Sequence, residues 1–270
     1  MVPDPFALGV SRRPSKALDL SAWKQDPARA AVLSDFDGTL APIVADPDEA
    51  VPHPGAVEVL GSLAQRYARV AVISGRPLAW LSARLAGAAA EGVELIGLYG
   101  LERSGRDPLG SLEQLKAVEA AAAEADRAAP PGVLVERKGL SFTLHYRQAP
   151  EHGAWVEAEA RQLAARHGLR VHPGKMSVEL RPESEVDKGR VVEELAAGMA
   201  AVCYLGDDVA DVPAFAALGR LRRRRVVTAA IAVAGHETPP ELLALADQVV
   251  EGVEGALGLL RELARFPGAT

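Results

Sequence analysis

A single cysteine, Cys203, stands in 270 residues, so the chain has no internal disulfide framework. It lies in an apolar run and reads as a buried, inert thiol. Aromatic residues are scarce, at 4%, which leaves few platforms on which nucleic-acid bases could stack. Basic residues are in deficit: 30 Lys and Arg against 36 Asp and Glu give a net charge of −6. That balance argues against a general affinity for nucleic acid or anionic membrane. No apolar run is long enough to span a bilayer, and the N-terminus shows no apolar core of a secretory signal. A soluble cytoplasmic protein is the expectation. Long internal repeats are absent too.

What is present is a 49% hydrophobic composition, enough for a sizeable core. Residues 1–28, with Pro3, Pro5, Pro14 and Pro27 and no clear period, read as a loosely held arm, with a short helix near Leu18–Trp23. The apolar run Ala30–Leu33 reads as a buried strand, and it ends in Asp35-Phe36-Asp37-Gly38-Thr39. Side chains alternate along a strand, so Asp35 and Asp37 can leave its end in one direction, and Gly38 permits a sharp turn. Converging carboxylates repel, and a site that keeps them suits a hard cation such as Mg²⁺. A carboxylate can also attack phosphorus and form an aspartyl-phosphate. The plainer reading is a strand followed by an Asp-Gly turn.

The proline-rich stretch 41–54 reads as a solvated acidic loop carrying Asp46, Asp48 and Glu49. Pro54 opens a helix with Val57, Leu60, Leu63 and Ala64 on one face. A second buried strand, Ala68–Ile73, ends in Ser74-Gly75-Arg76-Pro77 before a helix over Leu78–Leu85. Ser74 there suits a phosphate oxygen, or equally a helix N-cap. A third strand, Val93–Tyr99, completes a strand–helix alternation that predicts an α/β, Rossmann-like parallel sheet. Ligands of such sheets sit beyond the carboxyl ends of the strands, where Asp35, Asp37 and Ser74 fall.

The pattern then changes. An Ala-rich helix over Ser111–Ala129 precedes strands at Val133–Lys138 and Leu140–Arg147. The second places Leu140, Phe142, Leu144 and Tyr146 on one face and Ser141, Thr143, His145 and Arg147 on the other, as half-buried antiparallel sheet does. A helix over Trp155–His167 and strands near Leu169–His172 and Met176–Leu180 follow. This reads as a small inserted α+β domain whose polar strand face carries His145, Arg147, Lys175 and Glu179. These suit hydroxyls or a phosphate, or else form a merely solvated face. The expected division is an arm over 1–28, a core of 29–106 and 184–266, and the insertion at 107–183. Asp187-Lys188-Gly189 opens a helix to Met199. The buried strand Ala201–Leu205 ends in Gly206-Asp207-Asp208-Val209-Ala210-Asp211, three further carboxylates that plain helix capping could also explain. Arg222–Arg225 reads as a solvated basic run beside a strand over Val226–Val233. A last short strand at Gln248–Glu251 and an amphipathic helix over Gly252–Arg265 close the chain.

Asp35 and Asp37, Ser74, Lys188, and Asp207 with Asp211 supply, in order, the groups that phosphoryl transfer needs. The arrangement resembles the four motifs of the haloacid dehalogenase superfamily. Over about residues 30–265 the chain is similar, more narrowly, to the trehalose-6-phosphate phosphatases of that superfamily. The carriers are Tyr99-Gly100-Leu101-Glu102, Leu144-His145-Tyr146-Arg147, Gly174-Lys175 through Glu179-Leu180-Arg181-Pro182, and Asp187-Lys188-Gly189. The resemblance implies Asp35 as nucleophile, Asp37 as general acid and base, and Ser74 and Lys188 as holders of the phosphoryl oxygens. It implies Mg²⁺ at Asp35, Asp37 (through its carbonyl) and Asp207, with Asp208 and Asp211 completing the surroundings or orienting Lys188. Substrate binding falls to Ser74, Gly75, Arg76 and Lys188 on the core and to Lys175, Glu179, His145 and Arg147 on the insertion. The insertion would be a cap that closes over the sugar. The implied partner is a small sugar phosphate; a trehalose-phosphate synthase is a candidate protein partner, and a monomer is expected. Two departures stand out: Tyr99 replaces the usual His, and Ala210-Asp211-Val212-Pro213 replaces the usual continuation of the fourth motif. A sister sugar phosphatase, acting on sucrose phosphate or a glycosyl-glycerate phosphate, and a non-catalytic sugar-phosphate-binding partner of a synthase are the rival readings.

Overall fold

Strict alternation of apolar side chains to two sides decides the layout of the main sheet. The computed structural model describes residues 18–265 apart from positions 45, 108, 110, 111, 185, 236 and 237. Of the expected N-terminal arm, residues 1–17 lie outside the described residues, as does Ser111, the expected first residue of the Ala-rich helix. From Leu18 the chain is firmly held rather than loose. It forms α1 (Ser21–Gln25), whose buried Trp23 donates its ring N–H to the Ala31 carbonyl at 3.1 Å. There follow β1 (Ala30–Ser34), α2 (Ala56–Ala64), β2 (Arg69–Ile73), α3 (Leu78–Arg84), α4 (Ala86–Ala90), β3 (Glu94–Gly97) and β4 (Glu102–Arg103). A second group is α5 (Leu112–Ala128), β5 (Leu134–Arg137), β6 (Phe142–His145), α6 (Gly153–His167), β7 (Leu169–Gly174) and β8 (Ser177–Pro182). The chain returns through α7 (Lys188–Leu195), β9 (Ala201–Gly206), α8 (Val212–Arg223), β10 (Val227–Ala234), α9 (Pro240–Leu245), β11 (Gln248–Glu251) and α10 (Gly252–Arg265).

Seven strands form the main sheet in the order β11-β10-β9-β1-β2-β3-β4, parallel except for the short β4 at its edge. Val32 and Cys203 point to one side, where they pack with Leu60, Leu81 and Leu260 of α2, α3 and α10. Leu33, Val202 and Tyr204 point to the other, among Val191, Leu195, Phe215 and Leu218 of α7 and α8. Both faces are covered, so the central strands are apolar at nearly every position. Cys203 is fully buried among them, and burial pushes its thiol up to about 12, as an inert core side chain requires.

The other sheet is antiparallel, in the order β5-β6-β8-β7. One face is closed by α5 and α6 through Val118, Ala122, Val156 and Leu163 against Phe142, Leu144, Val178 and Leu180. The opposite face looks toward the carboxyl edge of the main sheet.

Several local expectations change. β3 ends at Gly97, not Tyr99, because Leu98 (φ 46°) and Tyr99 (φ 59°) turn into the left-handed region. Leu140 leaves the face of Phe142 and packs with Leu98 and Leu101, between the sheets. The cause is a tight turn at Lys138–Ser141, where Gly139 has φ 76° and Lys138 N–H donates to Ser141 O at 2.8 Å. The acidic loop carries a short 3-10 turn at Pro47–Glu49, begun by Asp46 accepting from Asp48 N–H. The sequence pattern gives no sign of α4, β4 or α9; α9 starts on Pro240, directly after Pro239, and buries Leu242. In the basic run, Arg222 is tied to Thr228 and Asp247 rather than free in solvent.

Candidate active site

The site is built where β1, β2 and β9 end and α7 begins. Asp35 N–H donates to Leu205 O at 2.8 Å, carrying the parallel ladder one residue past β1 and placing the Asp35 carboxylate at the sheet edge. Phe36 is buried edge-on against Trp80, with ring centroids 5.4 Å apart, and anchors the turn. Gly38 has φ 75°, and a Cβ there would run into the Asp207 carboxylate. Glycine is therefore required on both counts for the two strand ends to approach.

Lys188 is the first residue of α7, whose start is fixed by Asp187 accepting from Arg190 N–H at 2.8 Å. Its buried ammonium lies 2.7 Å from Asp35 Oδ1 and 2.6 Å from Asp211 Oδ1. Asp211 is wholly buried and fully engaged. Its Oδ1 also accepts from Tyr204 OH at 2.7 Å, and its Oδ2 accepts from the N–H groups of Asp207 and Asp208 at 2.9 and 3.0 Å. It organises the loop after β9 and holds Lys188 from behind. Asp208 turns away to accept from Val209 N–H, capping the 3-10 turn Val209–Asp211. Asp207 pairs through Oδ2 with Lys175 of the antiparallel sheet, while its buried Oδ1 has no partner among the described residues.

On the other side, Arg76 grips Asp37 with two hydrogen bonds of 2.9 and 2.8 Å. Its guanidinium stacks on Trp80, 4.3 Å from the ring centroid. Ser74 Oγ accepts from Arg76 N–H at 3.1 Å. Ser74 is not the cap of α3; Glu102 accepts from Leu78 N–H there, at 2.6 Å.

Cross-strand register lines up Glu136, Thr143, Glu179 and His172, one from each of β5, β6, β8 and β7. Alternation puts all four on the face away from α5 and α6, and all four line the cleft between the sheets. Glu136 gathers two cations and an imidazole: Arg76 at 3.1 Å, Lys138 at 3.3 Å and His145 at 2.7 Å. Thr143 Oγ1 and Glu179 Oε1 are buried without partners among the described residues. Arg147 donates to Lys175 O at 3.3 Å. Twelve of the thirteen residues singled out from sequence line this one cleft of about 360 Å³; the thirteenth, Asp211, stands behind it. Glu136, Lys138, Thr143 and His172 were not singled out. The period-2 pattern was a usable signal for Thr143, but the strand order that sets it beside Glu136 and Glu179 leaves no trace in sequence.

Charge is unbalanced at the sheet edge. Carboxylate oxygens of Asp35, Asp207 and Asp211 lie within 4.8 Å of one another, against the two ammonium groups of Lys188 and Lys175. Burial, reinforced by Asp211 and Asp207, pushes the Asp35 carboxyl well above its ordinary value despite Lys188. Burial likewise raises Asp207, to about 7, with Asp211 adding to it and Lys175 opposing. Burial disfavours the Lys188 ammonium, but Asp211 and Asp35 outweigh it and keep it charged. An all-oxygen donor set with excess negative charge and an unpartnered buried carboxylate oxygen fits a divalent metal ion of the hard class.

The Glu136 cluster carries a pH dependence. Burial disfavours its charge, but His145, Lys138 and Arg76 overcome this and hold the carboxyl down at about 2, against an ordinary 4.5. A value lowered in the folded state means stability fully present above about 4.5 and lost as pH falls toward 2. The expected loss over that window is up to about 3 kcal/mol. Unfolding temperatures between pH 5 and pH 2 should fall less steeply in Glu136→Gln than in the parent; parallel curves would show that Glu136 is not the titrating group.

Among the described residues, no helix is long and apolar enough to cross a membrane. Residues 33–241 match the family described as trehalose-phosphatase. A trehalose-phosphate phosphatase of Mycobacterium marinum is 39% identical over 208 residues, 71% of this chain and 52% of that protein. The chain thus spans about half the length of the curated relatives it matches. Among solved structures, the C-terminal domain of Candida albicans trehalose-6-phosphate phosphatase superposes with a TM-score of 0.75 at 24% identity, covering 92% of this chain and 98% of that one. A haloacid dehalogenase-like hydrolase of Bacteroides thetaiotaomicron superposes with a TM-score of 0.60 at 13% identity, covering 87% of this chain and 99% of that one. The fold is that of haloacid dehalogenase-type hydrolases, and by its match over most of its length the chain belongs to the trehalose-phosphatase family.

Proposed function

We propose that the chain is a Mg²⁺-dependent phosphatase that hydrolyses trehalose 6-phosphate to trehalose and phosphate, in the cytoplasm. The carrying observation is the cleft itself: Asp35 beside Lys188 on one wall, and the polar row with Glu179 on the other. Phosphate chemistry and hydroxyl recognition then face each other across a gap of sugar-phosphate size.

In this reading Asp35 attacks phosphorus and the bond from phosphorus to the sugar oxygen breaks, leaving an aspartyl-phosphate. Asp37 gives a proton to the departing sugar oxygen. It later takes one from the water that attacks the acyl phosphate, which releases phosphate and restores Asp35. In the structure Asp37 is held by Arg76, a contact it has to leave to carry a proton. Lys188 and Ser74 face the phosphoryl oxygens, where negative charge accumulates. Asp35 and Asp207, with the Asp37 backbone, would hold the metal, and Asp211 secures Lys188. A bound divalent cation offsets the repulsion between carboxylate and phosphate. Residues 107–183 act as a cap, and their closure excludes water from the reaction. The unpartnered Thr143 and Glu179 oxygens supply acceptors for sugar hydroxyls, which a bare phosphate site does not need.

One observation keeps the sister sugar phosphatases in view: Tyr99 and Ala210, two of the departures from the family pattern, both line the cleft. Phosphate release from a panel of sugar phosphates, with Mg²⁺ and with EDTA, decides between them. Preference for trehalose 6-phosphate, abolished by EDTA, is the expected result. Metal-dependent turnover of another sugar phosphate would reassign the cap, and no turnover from folded protein would favour a binding-only domain. Glu179→Ala should lower kcat/KM for trehalose 6-phosphate by about tenfold to a hundredfold, and for a small aryl phosphate much less. Equal losses would place Glu179 in structure or in the core chemistry.

A further inference from the structure

We infer that Tyr99 is a positioning residue for sugar recognition: from the main sheet it fixes the Glu179 carboxylate of the opposite sheet, and so ties sugar reading to the phosphate loop. The inference rests on the sugar-phosphatase reading above.

Tyr99 OH donates to Glu179 Oε2 at 2.6 Å. Glu179 is 6% exposed, and its other oxygen, Oε1, is buried with no partner among the described residues. One carboxylate oxygen is therefore held and the other remains to accept a hydroxyl from a ligand in the cleft, which Glu179 lines. The phenol is itself fixed from three sides. Arg181 lies over its ring, 4.3 Å from the centroid. Gly75 leaves room for it, since a Cβ on Gly75 would strike the phenol. Its backbone N–H donates to Ser74 O at 2.9 Å, and that of Leu98 donates to Arg76 O at 3.0 Å. Tyr99 thus sits in the left-handed conformation with φ 59°, a conformation that non-glycine residues keep only where surrounding contacts impose it. Burial first, and then Glu179, push the phenol well above its ordinary range, so it remains a donor through neutral pH.

The consequence is a coupling between sheets. Ser74, Gly75 and Arg76 surround the backbone and ring of Tyr99, and only with the two sheets together does its hydroxyl reach Glu179. A sugar hydroxyl then meets a preset acceptor instead of one that must be ordered on binding.

The test is Tyr99→Phe, which keeps the ring, the stacking on Arg181 and the fit against Gly75 and removes only the hydroxyl. It is assayed on trehalose 6-phosphate and on a small aryl phosphate, beside Glu179→Gln and the double variant. Turnover of trehalose 6-phosphate by the parent protein is measured first; its absence would sink the underlying reading rather than this one. With the parent active, Tyr99→Phe should raise KM for trehalose 6-phosphate by about tenfold, the scale of one hydrogen bond to a charged group. The KM change on the aryl phosphate should be far smaller. In the double variant, loss of the phenol should add little to the loss caused by Glu179→Gln. Additive losses, equal losses on both substrates, or an unchanged KM for trehalose 6-phosphate would each overturn the assignment.

Discussion

Asp35→Asn should abolish phosphate release while leaving the protein folded and no less heat-stable than its parent. A nucleophile cannot be replaced by the groups around it: the amide has no lone pair of comparable reactivity at oxygen, and Asp207 and Asp211 are held by Lys175 and Lys188. A rate loss of about four orders of magnitude or more, or 5 kcal/mol and above in barrier, is expected. Stability should move the other way. Three buried carboxylates crowd this edge, and burial with the neighbouring acids already pushes Asp35 well up. A neutral isostere relieves that repulsion, and Lys188 keeps Asp211 as its partner at 2.6 Å. Rapid-quench labelling with a phosphate-labelled substrate, run beside thermal unfolding, reads both effects. Retention of more than a few per cent of turnover, or loss of the fold, would remove Asp35 from the nucleophile's role.

The second large effect is that of Lys188→Met. The ammonium is 2% exposed and stands between Asp35 and Asp211. Removing it leaves two buried carboxylates facing each other with nothing between them. Breaking a buried pair in this way costs about 3–5 kcal/mol, and unfolding should come roughly 10 °C earlier. Activity should be lost as well, because the phosphoryl oxygens lose a charged holder. Adding Asp35→Asn on top of Lys188→Met should return much of the stability and none of the activity. If the double variant is no more stable than Lys188→Met alone, the cost has come from packing and not from unpaired charge. Calorimetry of the two single variants and the double variant settles which.

The sequence was most readable where one local rule acted alone. The run Ala30–Leu33 followed by Asp35 and Asp37 placed β1 and its carboxylates because a strand covered on both faces has to be apolar throughout. Lys188 and Asp187 were readable as a helix start for the same local reason. Features set by contacts distant in sequence were not. Leu98 and Tyr99 look like the end of a strand, and only the carbonyls of Ser74 and Arg76 turn them into the left-handed region. Nothing local marks Glu136 on its short strand; its three partners come from β2's end, β6 and the turn after β5. Ser74 could be read as a cap or as a phosphate holder. Glu102, on a two-residue strand too short for any periodicity, caps α3 and so removes the cap reading.

The order of strands in the main sheet has a consequence for how the chain comes to be folded during synthesis. β1 lies between β2 and β9. Its second neighbour begins only at Ala201, more than a hundred and sixty residues after β1 ends at Ser34. Until that point has emerged from the ribosome, β1 presents an apolar edge with unsatisfied amides and carbonyls, the kind of edge along which chains aggregate. The stretch from α5 to β8 emerges in that interval and has an apolar cluster of its own to bury. It can therefore collapse first, while β1 waits for its partner. Asp35 acquires its bond to Leu205, and with it a fixed place at the sheet edge, only once β9 has emerged.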